Sequence, residues 1–260
     1  MARTLVMVGA AVGGVVALAA GIRMVLVRQA AIARARIGKP LGEQSLDADR
    51  VWRRALQGEP VTLLLLGDSL AAGLGAEHRK QTLGGRLAKA LAKQLKRPVL
   101  LRTAAVVGSE SSALAGQLDT LGALFRADVA VIVVGGNDVT HLVPPAVAAA
   151  QLEQAMTRLS DAGTPVVVGT CPDLGTLRPV PQPLRRILSR MSRRLAREQA
   201  KAARRAGAVP VDLRQAVGAV FHEQPDEMFS LDRFHPSAAG YRRTAEALLP
   251  AVVAALATRR

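Results

Sequence analysis

The amino-acid sequence predicts an α/β fold in which helices cover both faces of a parallel sheet. Two observations carry this prediction. Short runs rich in β-branched residues or leucine alternate along the chain with longer segments of helical, amphipathic periodicity. The short runs are apolar at successive positions, which is typical of strands that are buried on both faces. In such a sheet ligands bind beyond the carboxyl ends of the strands, so functional residues are expected there.

The pattern predicts five strands and five helices after Gly58-Glu59-Pro60, a turn signal that precedes the first strand. Because helices separate the strands, the sheet is predicted to be five-stranded and parallel. The predicted strands are Val61–Leu66, Val99–Thr103, Val129–Val134, Val166–Thr170 and Ala208–Val211. The predicted helices are at about 83–96, 112–124, 145–162, 183–206 and 237–257.

Composition excludes several classes of protein. The mean hydropathy of +0.21 and a hydrophobic content of 50% are incompatible with a disordered chain. Only 2% of the residues are aromatic, which argues against a module that stacks nucleic-acid bases on rings, so no nucleic-acid partner is predicted. The single cysteine, Cys171, excludes an internal disulfide and a metal site built from several thiolates.

The net charge of +15 is concentrated in two segments. Residues 1–40 hold six basic residues and no acidic one, and residues 182–214 hold ten basic residues against two acidic ones. In the predicted helix 183–206, an apolar stripe that includes Leu184, Leu188 and Leu195 faces the sheet, so the arginines take the outer face. That face is either simply solvated or attracts an anionic lipid or an anionic substrate.

An uncharged run from Leu5 to Ile22 precedes the α/β domain. A helix of this length is at the lower limit for crossing a bilayer, and the favoured interpretation is an uncleaved transmembrane anchor in residues 1–27. The chain would then be membrane-anchored by a single N-terminal segment. The alternative is a cleaved signal peptide and secretion, since Ala17-Leu18-Ala19 matches an A-x-A cleavage site.

The remaining chain divides into a basic and polar juxtamembrane linker, residues 28–58, and the α/β domain, residues 59–260. The side of the membrane stays open. The basic residues from Arg23 onward place the domain in the cytoplasm by the positive-inside rule, whereas cleavage of a signal peptide would place it outside.

The first predicted strand is followed by Gly67-Asp68-Ser69-Leu70. A serine at this strand end can face a substrate, and the amino end of the following helix favours negative charge. The structural alternative is that Ser69 is only a helix cap. The nucleophile-elbow pattern G-x-S-x-G is absent because Ala71 stands in place of its second glycine.

Two further motifs carry polar side chains. The third strand is followed by Gly135-Gly136-Asn137-Asp138, and the last helix is preceded by Asp232-Arg233-Phe234-His235-Pro236. Asn137 could donate to a developing oxyanion, although Gly-Asn-Asp is also ordinary turn chemistry. His235 beside the carboxylate of Asp232 can take a proton from a serine and pass it to a leaving group, or the pair merely caps the helix.

Taken together, these motifs resemble the SGNH, or GDSL, hydrolase superfamily of esterases and lipases. Gly67-Asp68-Ser69-Leu70 matches its first block, Gly135-x-Asn137-Asp138 its third and Asp232-x-x-His235 its fifth. Gly108 follows the second strand, where the family's second block has a lone glycine. The four motifs occur in family order and near family spacing across roughly residues 60–260.

The resemblance implies a flavodoxin-like, three-layer α/β/α fold and a division of roles. Ser69 would be the nucleophile, His235 its general base and then the acid for the departing alcohol, and Asp232 would orient the imidazole. The oxyanion hole would consist of the backbone N–H groups of Ser69 and Gly108 and the side-chain amide of Asn137. No metal and no organic cofactor is implied.

The expected reaction is hydrolysis of small-molecule or lipid acyl esters through an acyl-enzyme, by a general carboxylesterase or a lysophospholipase-like enzyme. A carbohydrate O-deacetylase or an acyltransferase would use the same chemistry. A non-catalytic, membrane-tethered binding module is the rival class. The presence of Ser69, Gly108, Asn137 and His235 together argues against that rival, because a binding module does not need all four.

Overall fold

The computed structural model describes residues 2–122 and 124–258, with side chains from Ala19 onward. Within this part of the chain, six strands form one sheet in the order β1-β3-β2-β4-β5-β6. Five strands are parallel, and β1 pairs antiparallel with β3 at the edge. The strands are β1 (Val51–Trp52), β2 (Val61–Gly67), β3 (Val99–Thr103), β4 (Val129–Val133), β5 (Val166–Gly169) and β6 (Val209–Val211).

The α helices are α1 (Ala2–Ile37), α2 (Ser69–Ala72), α3 (Leu83–Leu95), α4 (Leu114–Asp119), α5 (Gly136–Thr140), α6 (Pro145–Asp161), α7 (Leu184–Arg205), α8 (Leu213–Glu223), α9 (Pro225–Met228) and α10 (Ala238–Ala257). Short 3₁₀ turns lie at Arg79–Gln81, Ser111–Ala113 and Leu174–Thr176. The predicted helix at 112–124 is shorter than expected, because a 3₁₀ turn occupies its start and α4 ends at Asp119. Helix α8, which follows β6, was not predicted.

The prediction of a flavodoxin-like α/β/α fold is confirmed, with one correction. The five parallel strands have the flavodoxin order, but the short antiparallel strand β1 makes the sheet six-stranded. This strand has only two residues, too few for a periodic signal in the sequence, and it lies in the segment predicted as a linker. From β2 the chain passes first to β3 on one side and later to β4 on the other, so a crevice opens between the carboxyl ends of β2 and β4.

Two apolar layers hold the sheet between its helices. Along β2, Leu63 and Leu65 pack in one layer with α3, α8 and α10, whereas Leu64 and Leu66 pack in the other with α4, α6 and the end of α7. All four leucines are fully buried, as expected for a strand whose alternate side chains point to opposite covered faces.

The predicted membrane anchor is not supported. In the part of the chain whose side chains are described, no helix is long and apolar enough to cross a membrane. That part of α1 carries Arg23, Arg28, Arg34 and Arg36, which interrupt its apolar residues. The predicted membrane-anchored localisation is therefore corrected. Residues 5–18 of the predicted span lie outside the described side chains.

The carboxyl end of α1 packs on the α/β domain. The side-chain oxygen of Gln29 accepts a hydrogen bond of 2.9 Å from the backbone N–H of Leu184, and its amide donates to the carbonyl of Gln182. Arg36 donates to the carbonyl of Pro179 at 3.3 Å, and Ala33 is buried between them. The end of α1 thus braces the segment that leads into α7.

Candidate active site

The backbone at the end of β2 depends on a glycine. Gly67 has a φ of +131°, and a Cβ atom there would lie 1.9 Å from the carbonyl oxygen of Val133. The next residue, Asp68, donates its N–H to that same oxygen. Because β2 and β4 approach so closely, the chain turns sharply and Ser69 becomes the first residue of α2, at the crevice between the two strands.

Asp68 caps the helix that begins with Ser69. Its Oδ1 accepts the N–H of Leu70 at 3.0 Å, and the backbone N–H groups of Gly135 and Gly136 also interact with the carboxyl. Burial nevertheless raises the pKa of Asp68 to about 6. The carboxylate therefore joins the amino end of α2 to the glycine pair after β4, the two loops that border the crevice.

Ser69, His235 and Asp232 form a continuous chain of hydrogen bonds. The Nε2 atom of His235 lies 2.9 Å from Ser69 Oγ, and its Nδ1 atom lies 2.5 Å from Asp232 Oδ2. All three side chains are at most slightly exposed. The Phe234 ring meets the imidazole edge to face, with centroids 4.8 Å apart, and restricts its rotation.

Local hydrogen bonds create the Asp232–His235 turn. Asp232 Oδ1 accepts the backbone N–H groups of Phe234 and His235 at 3.0 and 2.9 Å. Burial raises the pKa of Asp232, but the hydrogen bonds from the His235 ring and from these backbone groups outweigh burial, so the pKa lies below its usual value. Ser237 then caps α10, which begins at Ala238, one residue after the predicted start.

The two other predicted site residues lie on adjacent loops. Gly108, which follows β3, has a φ of +84° and faces open space. The amide of Asn137, at the start of α5, donates to the carbonyl of Ser109 at 2.9 Å. The structure thus brings the Asn137 side chain against the loop of Gly108. One N–H of the amide donates to Ser109, and the second is available to donate a further hydrogen bond.

Buried polar side chains that sequence reasoning missed hold these loops. Gln117 binds both backbone groups of Gly67, at 2.9 and 2.8 Å, and donates to Ser109 Oγ at 3.2 Å. Asp138 accepts the N–H and the hydroxyl of Ser111, so it ties α5 to the loop after β3 rather than only stabilising its own turn. A signal for Gln117 existed, because this glutamine lies in the apolar stripe that Leu114, Leu118 and Leu121 mark.

A second buried glutamine joins β4 and β5 to α7. Gln199 donates to the carbonyl of Val134 at 2.9 Å and accepts the N–H of Cys171 at 2.7 Å. Gly135 must be a glycine here, because its φ is +138° and a Cβ atom would lie 2.9 Å from that of Cys171. Burial raises the pKa of the Cys171 thiol well above its usual range, so the thiol is protonated at neutral pH. Cys171 therefore serves to pack the core.

A narrow apolar cavity of about 80 Å³ adjoins Ser69 and His235. Its wall comes from the segment after β5 and from α8 and the loop before α10. The apolar lining residues include Leu174, Leu177, Val217, Phe221, Phe229 and Phe234. Because α8 was not predicted, its part of this wall could not be foreseen. Among the described residues, no group of three or more His, Cys, Asp or Glu side chains is arranged to hold a metal ion.

The fold and these motifs agree with the comparisons to known proteins. A sequence model of the GDSL-like Lipase/Acylhydrolase family matches residues 65–243, and the chain belongs to this family. The family is one of lipases and acylhydrolases, and the assignment confirms the resemblance drawn from the motifs.

Among curated proteins, the chain is similar to the GDSL-like esterase Rv1075c of Mycobacterium tuberculosis, with 40% identity over 206 residues. The alignment covers 79% of this chain but only 65% of that relative. Among solved structures, TesA is 26% identical, with a TM-score of 0.58 over 73% of this chain and 97% of TesA. The acetyl xylan esterase AlAXEase, at 19% identity, shares the fold with a TM-score of 0.60 over 74% of this chain and all of its own.

Proposed function

We propose that this chain hydrolyses carboxylic esters through an acyl-enzyme on Ser69. One observation carries the proposal: the hydrogen-bonded series from Ser69 Oγ through the His235 imidazole to the Asp232 carboxylate. A serine hydroxyl becomes nucleophilic only when a base takes its proton, and His235 Nε2 is within reach of that proton. The buried, hydrogen-bonded Asp232 orients the ring and stabilises its charged form.

In the first step Ser69 Oγ attacks the ester carbonyl and its proton passes to His235 Nε2. The imidazolium then gives this proton to the departing alcohol, which leaves Ser69 acylated. In the second step His235 takes a proton from water, the resulting hydroxide attacks the acyl-enzyme, and the carboxylic acid is released as the proton returns to Ser69.

The negative charge on the carbonyl oxygen needs donors that are already oriented. The backbone N–H of Ser69 has no partner inside α2, because it is the first residue of that helix. We assign it to the oxyanion hole together with the N–H of Gly108 and the free N–H of the Asn137 amide. The hydrogen bond from Asn137 to Ser109 supports this assignment, since it holds the amide beside the Gly108 loop.

The apolar cavity supports an acyl chain as the group next to the scissile carbonyl. Transfer of a hydrocarbon chain from water to such a wall is favourable, whereas a sugar hydroxyl would lose its hydrogen bonds there. This favours a carboxylesterase or lysophospholipase-like activity over a carbohydrate deacetylase.

The test is hydrolysis of p-nitrophenyl esters from acetate to dodecanoate by the full chain, with Ser69→Ala beside it and Ser160→Ala as the exposed control. We expect activity that Ser69→Ala abolishes and Ser160→Ala retains, with kcat/KM rising above acetate as the chain lengthens. A fluorophosphonate should label wild type and fail to label Ser69→Ala. Equal turnover by wild type and Ser69→Ala would refute the serine mechanism, and a sharp preference for acetate would favour the deacetylase.

A further inference from the structure

A second depression lies directly beside the apolar cavity. We call it the cationic groove, and its lining includes Gln182, Arg185, Arg186, Ser189 and His222. The groove and the cavity are neighbours, since they share three lining residues, Asp173, Thr176 and Gly218.

The groove carries positive charge that the fold does not neutralise. Its acidic side chain, Asp173, forms an ion pair of 2.7 Å with Arg214, and both are mostly buried. Arg185 and Arg186 have no acidic partner among the described residues, where the ion pairs of α7 lie nearer its carboxyl end. Within the described part of the chain, neither guanidinium group donates a hydrogen bond to another residue, so both are free to bind a ligand.

Gly218 lies between the cavity and the groove. It lies in the interior of α8, where glycine costs about 1 kcal/mol relative to alanine. A Cβ atom at this position would meet nothing within 4 Å, so no packing contact requires the glycine. The missing side chain instead leaves space at a residue that lines both depressions.

We propose that the cationic groove binds an anionic group at the far end of the acyl chain whose ester lies at Ser69. The hydrocarbon occupies the apolar cavity, passes Gly218 and presents a carboxylate, phosphate or sulfate to Arg185 and Arg186. A planar guanidinium binds such oxyanions through paired hydrogen bonds. This inference rests on the proposed function, because it deepens the substrate class of the same site.

The test compares p-nitrophenyl hemiesters of dicarboxylic acids of 4 to 12 carbons with methyl-ended esters of equal length. The variant Arg185→Ala/Arg186→Ala removes the groove cations. Arg190→Ala/Arg193→Ala, on the same helix but outside the groove lining, is the control with the same change in net charge. We expect the groove variant to raise KM about 10-fold for carboxylate-ended esters of the best length, with methyl-ended esters changed less than about 2-fold.

Gly218→Leu tests the connection between the cavity and the groove independently of charge. It should remove the advantage of the long carboxylate-ended esters over methyl-ended esters of equal length, and its melting temperature verifies folding. Equal effects of the groove and control variants would overturn the inference. A preference for an anion on the alcohol portion of the ester, instead of on the acyl chain, would also overturn it, and acetyl esters of ω-hydroxyalkyl phosphates measure that preference. Activity on methyl-ended esters without any preference for the anion refutes the groove alone, whereas inactivity on every ester refutes the proposed function first.

Discussion

The two walls of the active site are built from different interactions. The wall formed by the loops after β3 and β4 is held by buried polar side chains, with Gln117 on Gly67 and Asp138 on Ser111. The opposite wall, from the segment after β5 and from α8, presents mainly apolar side chains to the cavity. Its segment is braced from outside by the hydrogen bonds of Gln29.

This difference matches the role that we propose for each wall. Stabilising an oxyanion needs donors at fixed positions, and buried hydrogen bonds supply that rigidity. Accommodating an acyl chain needs apolar area and tolerates small changes of shape, which side-chain packing supplies. Substitutions in the polar wall should therefore lower kcat, and those in the apolar wall should raise KM for long esters.

The largest effect is expected between the two walls, at His235. His235→Ala removes the proposed general base and should lower kcat by up to about 10⁶-fold, because the residues of a catalytic triad act as a unit. Steady-state kinetics with p-nitrophenyl butyrate measures this, and His141→Ala, an exposed histidine, is the matched control. A loss of less than 10-fold would contradict the assigned role.

Asn137→Ala and Leu177→Ala separate the walls directly. Asn137→Ala removes one proposed oxyanion donor and should lower kcat by about 10²–10³-fold on every ester, with little change in KM. Leu177→Ala removes apolar area from the cavity wall and should raise KM about 10-fold for octanoate but leave acetate turnover unchanged. If both variants altered kcat and KM alike, the division between the walls would be wrong.

The pH dependence of stability tests the raised pKa of Asp68, whose carboxyl lies between the ends of β2 and β4. The pKa of Asp68 is raised to about 6, so the folded chain holds a proton that the unfolded chain has lost between about pH 4 and 6. The free energy of unfolding should therefore fall over this range, by about 3 kcal/mol in total from this group. Urea titrations of wild type and Asp68→Asn from pH 4 to 7 measure it, and the variant should show a flatter slope.

The pKa of Asp232 is lowered, so its contribution has the opposite sign: it is present above about pH 4 and lost as the pH falls further. Asp232→Asn should abolish that loss on the acid side. An Asp68→Asn variant with an unchanged slope would show that burial does not govern the Asp68 carboxyl.

Gln117→Leu probes the rigidity of the polar wall. It leaves the buried N–H of Gly67 without a partner and removes one of the two donors to its carbonyl, the other being the N–H of Val106. This should cost about 2 kcal/mol of unfolding free energy and reduce kcat more than it changes KM. Gln154→Leu, on the exposed face of α6, is the control. Chemical denaturation and kinetics on the same samples measure both quantities. Wild-type stability and kcat in Gln117→Leu would show that this glutamine does not stabilise the polar wall.

The smallest effect is expected at the outer brace of the apolar wall. Gln29→Ala removes two hydrogen bonds to the segment before α7 and should cost about 1 kcal/mol of stability. Since that segment continues from the cavity wall, KM for octanoate should rise about 2-fold and KM for acetate should not change. Identical KM values for both esters in wild type and variant would show that the brace does not reach the cavity.

The sequence by itself determined the parts of this protein whose signals are local. Five strands could be predicted from apolar runs, and the alternation of these runs with amphipathic segments predicted the layers of the fold. The motifs around Ser69, Asn137 and His235 predicted the family. The Asp232–His235 turn could also be read from spacing, because its hydrogen bonds join residues two and three positions apart.

Only the tertiary structure decided what depends on contacts between distant residues. Gln117 meets Gly67 across 50 positions and Gln29 meets Leu184 across 155, and no local pattern encodes either pair. The edge strand β1 exists because β3 offers it partners. The cavity and the cationic groove arise where α7, α8 and the segment after β5 converge. Which side chains are buried, and which distant residues form hydrogen bonds, depends on how these elements pack together, so the sequence alone does not predict it.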